Sequence, residues 1–74
     1  MEFSRDTFAA RVRGLRAERQ MSQGDLATAT GISLDAVSHY ERADYVPGAD
    51  RVPALCTALG CSPNYLLGWT DARD

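Results

Sequence analysis

The chain has 74 residues, 45% of them hydrophobic, and a formal net charge of −2, with ten acidic residues against eight arginines and no lysine. This length allows one small domain whose core is just large enough to fold alone. No apolar run approaches the length of a membrane span, and the first residues lack the apolar core of a signal peptide. We therefore expect a cytoplasmic protein without a membrane partner.

Two cysteines and one histidine are too few for most metal or catalytic sites. Cys56 and Cys61 lie in or beside apolar helical positions, which favours buried reduced thiols over a disulfide. His39 is the single histidine, so no zinc site can be assembled around it. Paired carboxylates at a plausible cleft and a glycine-rich phosphate loop are also missing. The sequence therefore predicts no enzyme, no cofactor, no metal ion and no small-molecule ligand.

The first predicted helix covers residues 5–20, with Ser4 as its N-cap. Phe3 is placed to pack against the entry of this helix. Apolar residues recur at helical spacing along it, and no stretch of the chain alternates apolar and polar residues like a strand. These patterns predict an all-α fold. The inward stripe of the first helix consists of Phe8, Val12 and Leu15.

Two short helix patterns joined by a tight turn occupy residues 22–42. Ser22 is a good N-cap, and Asp25 three residues later completes a capping box. Gly31 can take the positive φ that ends a helix, and Ser33 caps the next one. On the second helix Val37 and Tyr40 face inward. The residues left on its outer face are Leu34, Asp35, Ser38 and His39.

The order of residues in this unit is typical of a helix-turn-helix. A small residue at Ala27 is followed by Gly31, an apolar turn residue at Ile32, and Val37 six positions after the glycine. The unit resembles the DNA-binding domains of the lambdoid phage repressor and Cro family, the Xre-like regulators. That resemblance implies a compact five-helix bundle with the second helix in the DNA major groove. The alternative is two consecutive amphipathic helices of an unrelated small bundle.

The last third of the chain predicts two more helices. Asp50 is the expected N-cap of the fourth, with Pro53 in its first turn, where a missing N–H costs no hydrogen bond. Ser62-Pro63 starts a short fifth helix. Residues 59–68 resemble the closing helix of the repressor family, and a polar tail covers 69–74. Residues 1–74 are thus expected to form a single domain.

The resemblance also implies roles for individual residues. Arg16 and Glu41 match positions that form an ion pair in the family, and Gln23 matches a glutamine that contacts the DNA backbone. Leu34 and Asp35 lie where family members read bases, and His39 can donate to guanine or to a phosphate. The residues expected near the DNA backbone are Ser22, Gln23, Ser33, Ser38 and Arg42. The apolar residues expected to form a homodimer interface are Leu66, Leu67 and Trp69.

The charge distribution leaves two functions open. Ala43 and Asp44 stand where the family usually has a glycine and a basic residue, and acidic residues dominate positions 25–50. A DNA-binding surface should be locally basic, because phosphate neutralisation supplies much of the affinity. The first function is a dimeric transcriptional regulator that binds a double-stranded operator. The second is a protein-interaction module that retains the fold and binds DNA weakly or not at all.

Overall fold

Five helices make up the secondary structure of residues 4–73, the part of the chain that a computed structural model describes. They are α1 (Arg5–Glu18), α2 (Gln23–Thr30), α3 (Leu34–Glu41), α4 (Val52–Leu59) and α5 (Pro63–Leu66). The predicted all-α bundle of five helices is confirmed, and no strand occurs within these residues. None of these helices is both long and apolar enough to cross a bilayer. The expected packing of Phe3 lies outside the described residues.

Serine side chains fix the starts of four of the helices. In each case the hydroxyl accepts a hydrogen bond from the backbone N–H three residues later, at 2.9 to 3.2 Å. Such caps satisfy one of the N–H groups that a helix start leaves without a partner. The capping residues are Ser4, Ser22, Ser33 and Ser62.

The start of α4 differs from the prediction. Arg51 is its N-cap and makes no capping hydrogen bond through its side chain, so the assignment of Asp50 as the cap is wrong. Pro53 does lie in the first turn of the helix. The turn of residues 48–51 closes instead through a backbone hydrogen bond of 3.0 Å from Arg51 to Gly48. This turn puts Arg51, and not Asp50, at the N-cap position of α4.

The core is formed where α1 and α4 cover the helix pair α2–α3. Phe8 of α1 is fully buried and meets the ring of Tyr40 of α3 edge to face, with centroids 6.2 Å apart. Edge-to-face contact suits the charge distribution of aromatic rings. Contacts with α1 and α2 hold α3 against the body of the domain. The other fully buried large side chains are Val12, Leu26, Val37, Leu55, Leu59 and Leu66.

The tail after α5 is bound to α1. Arg11 donates hydrogen bonds to the carbonyl oxygens of Tyr65 and Thr70 and forms an ion pair of 3.0 Å with Asp71. The guanidinium also lies 4.1 Å from the centre of the Tyr65 ring. The Arg11 side chain is only 17% exposed and does not lie on a solvated face of α1. One arginine instead ties the end of the described chain to the first helix.

Candidate nucleic-acid interface

The helix-turn-helix unit is built from local hydrogen bonds at its two corners. At the start of α2, Ser22 and Asp25 exchange backbone and side-chain hydrogen bonds of 2.9 Å each, which completes the predicted capping box. At its end, Gly31 has a φ of 74° and its N–H bonds the carbonyl of Ala27 at 2.9 Å. Glycine takes this left-handed conformation without the strain a side chain would add. Both corners predicted from the sequence are present.

The capping box makes the stability of this unit depend on pH. Hydrogen bonds from Ser22, first from its backbone N–H and then from its hydroxyl, hold the pKa of the Asp25 carboxyl below its ordinary value. The folded pKa is then lower than the unfolded one, so ionised Asp25 stabilises the fold above the unfolded pKa. This stabilisation is lost as the pH falls through the folded pKa. We expect Asp25→Ala to lower Tm by a few degrees at neutral pH and by less and less in acid, as measured by circular dichroism.

Asp50→Ala is the matched control, because it removes a carboxylate that caps no helix. Its effect on Tm should be smaller and should change less with pH. A Tm difference for Asp25→Ala that stays constant from neutral pH into strong acid would contradict the linkage.

The outer face of α3 begins with two exposed side chains. Leu34 is 52% exposed, and the side chain of Asp35 is 85% exposed. Ser33, which caps the helix, is exposed beside them. One turn later Ser38 and His39 are partly exposed, while Val37 of the same helix is fully buried. The predicted residues of the recognition face are therefore brought together on one side of α3.

The carboxylates on this face are paired with cationic or titratable groups. His39 lies between two of them, with Nδ1 at 2.9 Å from Asp44 Oδ2 and Nε2 at 3.5 Å from Asp35 Oδ2. Arg42 Nε is 3.3 Å from the same Asp44 oxygen. The hydrogen bond with His39, aided by the charge of Arg42, lowers the pKa of Asp44. Both acids thus belong to a local cluster in which Arg42 offsets part of their negative charge.

Tyr45 is a member of this surface that the sequence analysis missed. Its ring stacks on His39 with centroids 5.1 Å apart, and its edge meets Tyr40 at 5.5 Å. The residue remains 43% exposed. Tyr45 lies in an irregular loop, so no periodic pattern of apolar residues indicates where its ring points. Its contact with His39, six residues earlier, forms only because the loop folds back onto α3.

A buried carboxylate connects the first three helices. Glu41 of α3 is only 4% exposed and accepts hydrogen bonds from Arg16 Nε at 2.8 Å and Arg16 Nη2 at 3.0 Å. Gln23 Nε2 of α2 donates to the same carboxylate at 3.2 Å, and Gln23 Oε1 accepts from the Ser38 hydroxyl at 2.9 Å. The predicted ion pair of Arg16 and Glu41 is therefore present. Gln23 fixes α3 against α2 by using both ends of its amide.

Arginines surround the C-terminal end of α3. Arg13 donates to the carbonyl oxygen of Glu41, and Arg5 donates to the carbonyl oxygen of Asp44 at 3.1 Å. Arg51 donates to the Tyr40 hydroxyl at 3.1 Å. Cations are favoured at this end of a helix because its free carbonyl groups carry partial negative charge. We call the group of arginines at this end the arginine rim, which consists of Arg5, Arg13, Arg42 and Arg51.

The residues expected at a dimer interface do not all reach the surface. Leu66 is fully buried in the core, so its assignment to an interface is wrong. It faces inward because α5 packs against both α1 and α4. Leu67 is partly buried, and Trp69 is 52% exposed. The apolar surface near the end of α5 is therefore smaller than predicted.

A family model described as a helix-turn-helix domain matches residues 7–66, which is most of the chain. The chain belongs to this helix-turn-helix family. Repressor protein C2 of Salmonella phage P22 is 39% identical over 57 residues, covering 77% of this chain and 26% of the relative. The transcriptional regulator DicA of Escherichia coli is 37% identical over 67 residues, covering 90% of this chain and 50% of DicA. The chain thus spans between a quarter and half of the length of these two relatives.

Solved structures agree with the sequence comparison. The crystal structure of the P22 c2 repressor in complex with a synthetic operator has a TM-score of 0.81 and 35% identity, covering 85% of this chain and 96% of that one. The solution structure of the DNA-binding domain of the same repressor has a TM-score of 0.78 and 32% identity, covering 95% of both chains. The predicted phage repressor-like fold is confirmed, within the helix-turn-helix family.

Proposed function

We propose that this domain is a sequence-specific DNA-binding transcriptional regulator, with α3 in the major groove of a double-stranded operator. The observation that carries the proposal is the match over most of the chain to a repressor whose structure was determined on operator DNA. The exposed half of α3 supports it, because a recognition helix contacts base edges with its N-terminal residues. We further propose that the protein acts in the cytoplasm of a bacterial cell and performs no catalysis.

The exposed residues suit different parts of DNA. At the start of α2, Gln23 would present its backbone N–H to a phosphate, and Ser22, whose own N–H is bonded to Asp25, would lie beside that phosphate. The cap Ser33 would donate its hydroxyl to a phosphate. Leu34 can contact a thymine methyl group, and Asp35 can accept a hydrogen bond from cytosine N4. Further along the interface, Ser38, His39 and Arg42 would lie near the sugar-phosphate backbone. Because Ser38 already bonds Gln23, its part is chiefly to orient that amide.

Local charge favours this function more than the net charge of −2 suggests. The arginine rim lies beside the end of α3, and all of its members are exposed. Two acidic residues of the exposed surface, Asp35 and Asp44, contact His39, and Asp44 also contacts Arg42. Phosphates near the rim would therefore meet cations, and Arg42 and His39 would offset part of the repulsion by Asp44.

A homodimer on a two-fold operator is part of the proposal. Repressors of this architecture place two recognition helices about one helical turn of DNA apart. The exposed ring of Trp69 and the partly buried Leu67 provide the apolar contact. This area is small for a stable free dimer, so pairing is expected on DNA. We also propose that residues 1–74 behave as a single domain.

One observation favours a different function. The strong exposure of Leu34 and Asp35 would also suit a surface that binds a protein. Salt dependence separates the two functions, because binding to duplex DNA weakens steeply as salt rises whereas a protein-interaction module is not retained on DNA at all. Selection of bound sequences from a random duplex pool, followed by titration of the selected site at several salt concentrations, tests the proposal. Failure to enrich any sequence at low salt would overturn it.

Asp35→Asn tests the direct reading of a base. The carboxylate accepts a hydrogen bond where cytosine presents N4 and is repelled by DNA elsewhere. We expect the variant to bind a scrambled duplex several-fold more tightly. We also expect it to lose its preference at one base pair, a preference of roughly 1–3 kcal/mol in binding free energy. Fluorescence anisotropy with the selected site and its single-base variants measures both effects.

Asp71→Asn is the matched control, because it removes the same charge from the tail beside Arg11. It should leave the base preference unchanged. Equal behaviour of the two variants would mean that Asp35 acts only through the total charge.

A further inference from the structure

We propose that Cys56 and Cys61 form a binding site for trivalent arsenicals that carry one organic substituent, with both sulfur atoms bonded to one arsenic. The site lies at the C-terminal end of α4, apart from the helix-turn-helix unit. It does not depend on whether the domain binds DNA.

The backbone at the end of α4 brings the two side chains together. Gly60 has a φ of 69°, and both its N–H and that of Cys61 bond the carbonyl oxygen of Cys56, at 2.8 and 3.1 Å. A helix end of this kind places the side chains at the two positions occupied here by Cys56 and Cys61 in contact. The two thiols are close enough to shift each other's pKa. Five residues apart in sequence, they are therefore neighbours held by the fold.

A ligand can reach the pair from solvent. Both cysteines line a surface cleft of about 350 Å³, together with Thr57, Gly60 and Ser62. Arg73 of the tail forms the remaining part of its wall. The cleft is open to solvent, so an organic substituent on arsenic could extend out of it. Both thiols are free, since neither cysteine forms a disulfide in the structure.

The protonation of the two thiols determines how an arsenical reacts with them. Burial raises the pKa of Cys56 to about 11. Burial also raises the pKa of Cys61, against the hydrogen bond from Cys56 and the charges of Arg19 and Arg73. Both groups therefore carry their protons at neutral pH. An arsenical R–As=O takes up these two protons as it forms two As–S bonds, and one water leaves while arsenic remains trivalent.

The two thiols are too few to bind a structural zinc ion. No group of three or more His, Cys, Asp or Glu side chains in residues 4–73 could hold a metal ion. A structural zinc ion requires four ligands in a tetrahedron. An arsenical with one organic group completes its three bonds with two thiols, which is the number the cleft supplies.

Phenylarsine oxide is the probe for this site. Native mass spectrometry of the folded wild-type chain should show one arsenical bound with loss of one water. Two covalent attachments within one site raise the apparent affinity on the order of 100-fold over a single thiol. We therefore expect Cys61→Ser and Cys56→Ala each to bind about 100-fold more weakly. Cys61 is partly exposed, so its variant should keep the fold even where Cys56→Ala does not, as circular dichroism will show.

Competition distinguishes a chelate from two independent thiols. Excess glutathione should strip the arsenical from Cys61→Ser and leave it on the wild type, whereas the dithiol dimercaptopropanol should remove it from both. Two arsenicals on one chain would overturn the proposal. So would release from the wild type by glutathione as readily as from Cys61→Ser, or binding that begins only after denaturant has unfolded the chain.

Discussion

Arg16→Ala is expected to lower the free energy of unfolding by about 3 kcal/mol, a large part of the stability of a domain this small. The substitution leaves the buried carboxylate of Glu41 with one neutral donor, Gln23, in place of three hydrogen bonds of which two are charged. A buried charge without its partner costs more than the pair contributes when both are present. Denaturation by urea, followed by circular dichroism, measures the loss.

A double-mutant cycle separates the pair from the side chains themselves. Arg16→Ala combined with Glu41→Ala should be clearly less destabilising than the sum of the single changes, because the second substitution removes the stranded charge. Arg73→Ala is the control, since it breaks an exposed ion pair with Glu18 and should change the midpoint little. If the two single changes simply add, the ion pair does not hold the helices together in the way the geometry indicates.

Leu34→Glu is expected to weaken binding to any duplex on the order of 100-fold, because a new carboxylate would face DNA at the exposed start of α3. The fold should be unaffected, since Leu34 is exposed and an acidic residue suits the N-terminal turn of a helix. Fluorescence anisotropy gives the affinity, and thermal unfolding verifies that Tm is kept.

Leu34→Gln is the matched control, with nearly the same shape as glutamate and no charge. It should lose the contact with a thymine methyl group and little else, so its affinity for a scrambled duplex should stay close to that of the wild type. If both variants bind the scrambled duplex equally well, α3 does not enter the groove and the protein-interaction function gains support.

Local signals in the sequence were sufficient for the four serine-capped helix starts and the central turn, but not for the start of α4, where Arg51 and not Asp50 is the N-cap. Serine caps at Ser22 and Ser33 and the left-handed Gly31 depend on residues three or four positions apart, so they can be read directly. The ion pair of Arg16 and Glu41 came from the resemblance, because 25 residues separate its members and no periodicity links them.

What could not be predicted depends on contacts between distant segments. Helix α5 has only four residues, barely more than one turn, so no periodic pattern showed that Leu66 points into the core. Arg11 bonds a tail about 60 residues away, and only the folded chain brings the two together. In the sequence, the negative charges of Asp35 and Asp44 argued against DNA binding. The sequence alone does not show that His39 lies beside both carboxylates and that Arg42 lies beside Asp44.

The amide of Gln23 has a consequence for the thermodynamics of recognition. One side chain fixes the angle between α2 and α3 through a hydroxyl on one end and a buried carboxylate on the other. The helix that would enter the groove is thus preorganised, and little conformational entropy remains to be lost when it docks. Any heat-capacity change on binding would then reflect the apolar area covered and the deformation of the DNA, with no contribution from folding of the protein. Any structural change on binding would then occur mainly in the DNA, whose stiffness varies with its sequence.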